Sequence, residues 1–408
     1  MRRLPHRSLR LLCILLPLAG CNEAGRVRTE PALRDSAGIS IVEHRALDAA
    51  RTDSVSGPVL TIGQVAGAEE YELYDVNGVV RLSDGSVAVA TAGIEIRWFD
   101  AQGRFRRRAG RDGDGPGEFR RIRYIRDLVG DSLLVFDSGN RRVSILAPDG
   151  SFVRGQSVGL DEDRPVTVAG ALRDGTLLTR TVLETARAST PLYRSRMAFT
   201  VARGEAVFAL PPYPGPEAAL HAAESGGDIA TVFVSVLPFA RAAHAAAGPD
   251  EFFVGSSDSY QIDVWNAQGR LVRIIRAAVP VKPVTEDVHQ EFVSREIERM
   301  RKADEEHTQS FNEADARRRM LDQAHAPAIP AFADLLATAE GGLWVKEFIL
   351  PNVEPAPERR TIFDPEGRLA ATIILPPGFT ALHVHGDLVI GVFRDTLDVP
   401  YVHGYRFR

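Results

Sequence analysis

Cysteine is nearly absent from this chain. Its 408 residues contain two cysteines, Cys13 and Cys21, and both lie near the amino terminus. From residue 22 onward there is no thiol, which excludes a disulfide, a cysteine-ligated metal and a thiol nucleophile from that part of the chain. Apolar residues make up 44% of the composition, enough for a chain of this length to bury a large core.

The motifs of common nucleotide and hydrolase sites are also missing. Gly113, Gly115 and Gly117 form a glycine-rich stretch, but no Lys followed by Ser or Thr comes after them and no helix is expected there. No serine stands in a Gly-x-Ser-x-Gly elbow, and no His and Asp are placed as the partners of a triad. We therefore interpret the glycine-rich stretch as a turn between structural units.

The first twenty residues have the composition of a signal peptide. Four arginines, at positions 2, 3, 7 and 10, precede an apolar run from 11 to 18 that is too short to span a membrane. The run ends in Leu18, Ala19, Gly20 and Cys21. This ending resembles the lipobox of bacterial lipoproteins. The resemblance implies that the chain is cut before Cys21, that fatty acyl chains such as palmitate are attached to this residue, and that Asn22 favours sorting to the outer membrane.

This pattern divides the chain into three parts. We expect residues 1–20 to be a lipoprotein signal peptide, residues 21–35 a lipidated tether, and residues 36–408 the folded domain. Removing the four leader arginines from a net charge of −5 leaves −9. Because an acidic chain is a poor general binder of nucleic acid, we predict no nucleic acid partner. From the lipobox-like ending we predict a lipid-anchored location in the cell envelope, facing the periplasm or the cell surface.

A short turn followed at once by a β-rich strand recurs along the chain. The turns contain Asp, Gly or both, and the strands alternate large apolar residues with others. The six occurrences begin at Asp84, Gly130, Asp174, Asp250, Gly341 and Gly386. Three neighbouring intervals are about 43 to 47 residues, the length of one four-stranded propeller blade.

A second marker follows most of these turns at a similar distance. It is an apolar strand, a turn that ends in Gly and another strand; its turn glycines are Gly103, Gly150, Gly269 and Gly367. Together the markers predict an all-β, six-bladed β-propeller. The isolated strand Ile39 to Val42 is expected to close the ring beside Tyr401 to Phe407, so that no sheet edge stays open.

One stretch resembles a known repeat. Asp137, Asn140, Arg142 and Val143, with the Asp149 and Gly150 turn, are similar to the NHL repeat. The chain thereby resembles six-bladed β-propeller lipoproteins of bacteria, in the TolB-like propeller group. The resemblance implies a fold and no particular activity, because propellers host many functions.

Two intervals exceed the length of a blade. In the first, prolines at 211, 212, 214 and 216 predict a loop. The second, about 284–325, predicts a helical insertion between blades, with Thr285 as N-cap and an apolar stripe at Val288, Phe292, Ile297 and Met300. A second helix is expected over 312–323. The simplest interpretation is a solvated helical face, and the alternative is a lid or docking element over the channel mouth.

Candidate metal sites are few. His383 and His385 share one face of a predicted strand, and His403 could join them from the strand beside it. Asp112, Asp114 and Glu118 could offer oxygens to Ca²⁺ or another divalent metal, but they lack the spacing of a twelve-residue calcium loop. We therefore predict no resident cofactor and keep these residues as weak metal candidates.

Two functional hypotheses follow. The favoured one is a non-enzymatic module that binds a peptide, a glycan or a protein of the envelope, or acts as a scaffold for it. The alternative is a metal-dependent hydrolase or lyase in the central channel, where three or four carboxylate or imidazole groups would converge. Catalytic residues cannot be selected, because the periodicity does not identify the side chains that face the channel.

Overall fold

The protein is described here by a computed structural model covering residues 30–49, 51–158, 166–183, 192–225, 228–307, 312–350 and 356–407. Within these ranges the chain forms twenty-nine β-strands and two α-helices, so the predicted all-β class is confirmed. No helix in these ranges is long and apolar enough to cross a membrane. The predicted signal peptide, the Cys21 anchor and the tether up to residue 29 lie outside the described residues.

The first two blades are antiparallel four-stranded sheets. Blade one contains β5 (Gly78–Arg81), β6 (Val87–Thr91), β7 (Glu95–Phe99) and β8 (Phe105–Ala109). Blade two contains β9 (Ile122–Asp127), β10 (Leu133–Asp137), β11 (Arg142–Leu146) and β12 (Phe152–Ser157).

The next two blades are larger. Blade three contains β13 (Thr167–Ala171), β14 (Leu177–Val182), β15 (Leu192–Arg203), β16 (Ala206–Ala209), β17 (Tyr213–Ser225) and β18 (Asp228–Val236). Blade four contains β19 (Ala243–Ala247), β20 (Glu251–Ser256), β21 (Gln261–Asn266) and β22 (Leu271–Ala277), and it also receives the amino-terminal hairpin of β1 (Ala32–Ser36) and β2 (Ile39–His44).

The last two blades each take a strand from the start of the chain. Blade five contains β23 (Asp334–Ala337), β24 (Leu343–Lys346), β25 (Glu358–Phe363), β26 (Leu369–Leu375) and β3 (Thr52–Ser54). Blade six contains β27 (Phe379–His385), β28 (Leu388–Arg394), β29 (Pro400–Arg406) and β4 (Leu60–Ile62).

The sheets form a closed ring. Their first strands contact one another in the order β5, β9, β13, β19, β23 and β27, and β27 returns to β5. Each blade therefore buries both faces, as β6 illustrates: Val87 and Val89 pack in the core shared with blade six, and Ala88 and Ala90 pack in the core shared with blade two. The predicted β-propeller is thus confirmed, with the described residues forming six sheets around a central channel.

The strand expected to close the ring was wrongly assigned. Ile39 to Val42 belongs to β2, which pairs in parallel with β22 on the outside of blade four. The partner of the last strand β29 is β4, with Leu60 opposite Gly404 and Ile62 opposite Val402. Ile62 is fully buried, whereas Ile41 is half-buried, so the more apolar environment decided the pairing. The tether boundary also shifts, because residues 32–35 belong to β1.

Turn glycines allow each blade to pack closely against its neighbour. The glycines of the second sequence marker all adopt positive φ: Gly103, Gly150, Gly269 and Gly367. A Cβ on Gly269 would lie 2.6 Å from Cβ of Phe208 in blade three, and one on Gly367 would lie 2.8 Å from Cγ1 of Ile275 in blade four. The marker therefore reports close packing between blades as well as a tight turn.

The two long intervals have different structures. The loop predicted for the proline-containing segment is wrong in part: Pro211 and Pro212 lie in the connection before β17, but Pro214 and Pro216 lie within β17, where Pro214 pairs with Arg196 beside a bulge. Bulges tolerate proline because the ladder is already interrupted there, and β18 pairs with β17 only from Ala218 onward.

The other long interval holds helix α1 (Glu286–His307) and helix α2 (Glu313–Asp322) between β22 and β23. Thr285 Oγ1 accepts a hydrogen bond from Val288 N at 3.4 Å, and Asn312 caps α2 by accepting from Asp315 N at 3.0 Å. We call the end of the disc where this insertion emerges the upper face. The opposite end, with the turns that follow the innermost strands, is the lower face.

Closure by β4 predicts a large difference between two isoleucines. Ile62→Ala should lower the free energy of unfolding by about 2 to 5 kcal/mol, since it opens a cavity in the closing blade. Ile41→Ala on the outer hairpin should cost about 1 kcal/mol. Chemical denaturation of both variants checks this order, and equal losses would contradict closure through β4.

Turn packing predicts a similar contrast for glycines. Gly175→Ala places a side chain at positive φ with nothing within 4 Å, so it should cost about 1 kcal/mol. Gly269→Ala adds the collision with Phe208 and should cost about 2 to 4 kcal/mol. Thermal unfolding of the matched pair measures the difference, and indistinguishable melting temperatures would rule out a packing role for Gly269.

Candidate functional site

The three candidate histidines do not meet. His383 and His385 lie on the face of blade six that carries Ile390, because they pair with Ile390 and Leu388. His403 pairs with Gly391 and so lies on the opposite face, where its ring stacks on Phe393 at 4.7 Å. A metal site formed by all three is therefore excluded by the register of the sheet. Over the described parts of the chain, no group of three His, Cys, Asp or Glu side chains could hold a metal ion.

His383 instead borders a buried charged cluster at the lower end of the channel. Arg126 crosses from β9 to blade four, where Nη1 and Nη2 donate to the carbonyls of Ala247 and Gly248, both at 2.9 Å. Asp127 lies 3.6 Å from Arg126 Nε and 3.1 Å from Arg173 Nη2. The cluster therefore ties three neighbouring blades together near the axis.

The cluster leaves polar atoms without hydrogen bonds. Nε2 of His383, Nε of Arg126 and Oδ1 of Asp127 are buried and have no hydrogen-bond partner among the described residues. The pKa of His383 is lowered to about 4, chiefly by burial; Asp127 opposes the shift and Arg126 contributes to it. His383 is therefore neutral at pH 7, which matches a structural imidazole better than a charged one.

The glycine-rich loop uses its carboxylates internally. Asp114 receives Arg120 in an ion pair, and Glu118 pairs with Arg111 and accepts from Gly115 N at 2.8 Å. These contacts lower the pKa of Asp114, through Arg120, and of Glu118, through the Gly115 amide first. Phe119 at the end of the loop is fully buried between blades one and two. The interpretation as a turn between units is confirmed, and two of the calcium candidates, Asp114 and Glu118, are engaged with nitrogen partners.

A more promising concavity lies on the upper face between blades four and five. Its volume is about 300 Å³, and it is lined by the two chain segments that lead into and out of the helical insertion. Those segments are joined by hydrogen bonds from Ile329 N to Lys282 O at 2.8 Å and from Val284 N to Pro327 O at 3.0 Å. We call this concavity the upper cavity. Its apolar lining comes from Leu47, Val279, Pro280, Val281, Ile329, Pro330, Ala331 and Phe348.

Tyr260 supplies the polar feature of this cavity. Its side chain is only 4% exposed, and its hydroxyl makes no hydrogen bond of good geometry within the described residues. The Thr361 side chain is a polar neighbour of this hydroxyl and partly opposes the rise in the pKa of Tyr260. The ring is held edge-on by Phe332, with centroids 5.8 Å apart. Burial raises the pKa of Tyr260, so the hydroxyl stays protonated and can donate a hydrogen bond.

Charged groups lie at the rim. Glu347 is paired with Arg359 at 2.9 Å, and Lys282 is exposed. Asp258 is paired with Arg194 at 2.8 Å and with Arg241 at 3.3 Å. Burial alone would raise the pKa of Asp258, but the hydrogen bonds from Arg194 and Ser256 outweigh it and lower the pKa. The rim thus presents an ammonium group beside carboxylates that are already neutralised.

The insertion is docked rather than free. Phe239, with a positive φ of 61°, projects its ring between Phe292 of α1 at 5.0 Å and Phe348 of the cavity wall at 6.1 Å. His289 of α1 packs on His325 with ring centroids 4.4 Å apart. An aromatic residue in this backbone region is strained, so the surrounding contacts must hold it there.

The predicted apolar stripe has helical spacing, but the buried face of α1 is rotated away from the predicted residues. Its members Phe292 and Val288 are half-buried and Met300 is exposed, whereas Ile297 is buried. The buried face is completed by neighbours of the predicted positions: His289, Val293 and Glu296. Sequence reasoning also missed Tyr260 and the cavity. The signal available was the pair of prolines at each end of the insertion, Pro280 and Pro283 before it and Pro327 and Pro330 after it, which stiffen the cavity roof.

Comparison with known proteins finds only distant structural similarity. No protein-family model and no curated protein matches the sequence. A putative exported protein from Bacteroides fragilis is 12% identical, with 90% of this chain and 99% of that chain covered and a TM-score of 0.45. A member of the DUF4221 family from Bacteroides vulgatus is 10% identical, with 87% and 97% covered and a TM-score of 0.43. Regucalcin, a calcium-binding protein from Agrobacterium tumefaciens, is 11% identical, with 88% and 96% covered and a TM-score of 0.41. The propeller assignment rests on the sheet topology.

The buried imidazole of His383 predicts a pH dependence of stability. Its pKa is 6.5 when unfolded and about 4 when folded. As the pH falls through this window the unfolded chain binds the proton first, so stability present above pH 6.5 is lost, by up to about 3 kcal/mol for this one group. His383→Gln should remove that part of the slope and leave the part due to His244, His289 and His403, whose pKa values burial also lowers. Urea unfolding at pH 7, 5.5 and 4.5 measures both slopes, and identical slopes would refute the assignment.

Proposed function

We propose that this protein is a lipid-anchored binding module of the bacterial cell envelope and that its ligand enters the upper cavity. The ligand is a peptide, a glycan or an exposed segment of a protein partner. The observation that carries the proposal is a concavity with apolar walls that Tyr260 lines, with the hydroxyl of this residue buried and without a hydrogen bond of good geometry among the described residues.

The chemistry of the cavity indicates what fits. Buried polar groups are normally hydrogen-bonded, and leaving a hydroxyl unpaired costs about 1 to 3 kcal/mol. A ligand that accepts a hydrogen bond from Tyr260 and packs on Ile329 and Phe348 recovers this cost and buries apolar area. A volume of about 300 Å³ is at the small end of ligand sites, so it admits one side chain or one sugar ring of a longer molecule.

The anchor completes the proposal. Cys21 is the residue that the lipobox-like ending offers for acylation, and Asn22 after it favours the outer membrane. Two or more acyl chains are enough for stable attachment to a bilayer. Envelope glycans, peptides and proteins are then the molecules within reach of the upper face.

The enzymatic alternative requires a set of side chains that the lower end of the channel does not present. A metal-dependent hydrolase or lyase needs three or four carboxylate or imidazole groups at the axis. At the lower end of the channel, Asp127 and His383 are accompanied by the guanidinium groups of Arg126 and Arg173. The upper cavity is therefore the better basis for a function.

Blocking the cavity should abolish binding. The mature lipoprotein in detergent is screened against an array of envelope glycans and a library of random dodecapeptides. The best binder should lose at least about tenfold in affinity with Ala331→Trp or Lys282→Trp, which fill the cavity from its wall and its rim. Tyr260→Phe should lose about fivefold to tenfold, the value of one hydrogen bond.

The control is Val129→Trp on the lower face, which should bind as the wild type does. Melting temperatures show that each variant is folded. A binder that is insensitive to both cavity-filling variants, or the absence of any binder from either collection, would overturn the proposal.

A further inference from the structure

We propose that the upper face docks on a lipid surface, so that the upper cavity opens toward the membrane that carries the anchor. This inference rests on the proposed acylation of Cys21 and adds the orientation of the propeller and the location of its ligand. Three observations support it: where the chain enters the fold, how long the preceding segment is, and which side chains the upper face exposes.

The chain enters the fold at its upper end. β2 runs parallel to β22, and His44 at its end accepts a hydrogen bond from Ala278 N at 2.9 Å, just where the insertion begins. β1 is antiparallel to β2, with Ala32 opposite Glu43. The first residue of β1 therefore lies at the same end of blade four as the insertion and the cavity.

The segment before β1 is short. Eleven residues lead from Cys21 to Ala32, and a fully extended chain of that length spans at most about 40 Å. To place the lower face on the membrane, this segment would first have to run back along the edge of blade four, a strand length of about 20 Å. Placing the upper face there requires no reversal.

The loops of the upper face expose large apolar side chains. They project from strand ends and connections at the upper ends of several blades and from the insertion: Tyr74, Val182, Leu192, Val281, Leu321 and Leu397. Carboxylates do not distinguish the two faces, because the lower turns after the innermost strands carry them and the upper loops expose Glu69, Asp75 and Asp398. The exposed apolar side chains near the lower turns are smaller: Val129, Val153 and Val207.

This contrast selects the lipid-facing side. Exposed leucine and tyrosine side chains gain more free energy at the headgroup and acyl boundary than valines do, because they remove more apolar area from water. Val281 also lines the upper cavity, so the ligand of this cavity is a molecule held at or near the membrane surface.

Energy transfer to labelled lipid tests the orientation. The acylated protein is reconstituted in phosphatidylethanolamine and phosphatidylglycerol vesicles containing a rhodamine lipid. A donor dye is attached at Leu397→Cys on the upper face or at Val129→Cys on the lower face, positions that are 75% and 76% exposed. Because the faces are about 20 Å apart along the strands, transfer from position 397 should be about twofold or more higher.

A second variant tests the apolar loops. With the dye at position 397, the triple change Val182→Ser, Leu192→Ser and Val281→Ser should lower transfer toward the value at position 129. The matched pair Val153→Ser and Val207→Ser, which are also exposed but lie away from these loops, should leave it unchanged.

Flotation separates the two proposals. If the protein floats with the vesicles and transfer from position 397 does not exceed that from position 129, the orientation is wrong and the anchor stands. If the protein does not float, acylation is rejected and the orientation falls with it. Loss of ligand binding in the cavity variants is measured independently, in detergent.

Discussion

The pairing of β4 with β29 is the contact on which the rest of the ring depends. Every blade is apolar on both faces, so an open ring would expose the cores on both sides of the gap to water. Closure links residues 60–62 to the last strand, more than 300 residues away, and so makes the blades mutually dependent. The glycine turns then allow each blade to approach the one before it closely enough to exclude water from the boundary.

A closed ring tolerates irregular structure outside the blade cores. The tight lower turns maintain the blade spacing, so the long excursions all emerge from the upper ends of strands. The helical insertion is fixed there by the strained Phe239 and by contacts with Phe292 and Phe348, and not by the blade cores. The cavity is therefore assembled from the blade rim and the docked insertion together, with Tyr260 in its lining.

The candidate site could be predicted only in part. The sequence places His383, His385 and His403 on neighbouring strands, but which face each side chain occupies depends on the register of pairing. A bulge between Ala381 and His383 shifts the alternation in β27, and the pairing of Gly391 with His403 puts that ring on the far side. Such one-residue shifts are decided by tertiary contacts and leave no trace in hydrophobic periodicity. The burial of Arg126 among backbone carbonyls could not be predicted either, because it depends on a contact with blade four, far away in sequence.

The sequence by itself determined the local structure of this protein. Its Asp and Gly turns, its alternating strands, the caps at Thr285 and Asn312 and the length of the repeat depend on interactions within a few residues, so they can be recognised along the chain. The closing strand, the phase of the helical stripe, the use of Pro214 in a strand and the upper cavity around Tyr260 were decided by the tertiary structure. Each depends on which distant surface a segment meets, and several segments of similar apolar character compete for that surface until the whole ring has closed.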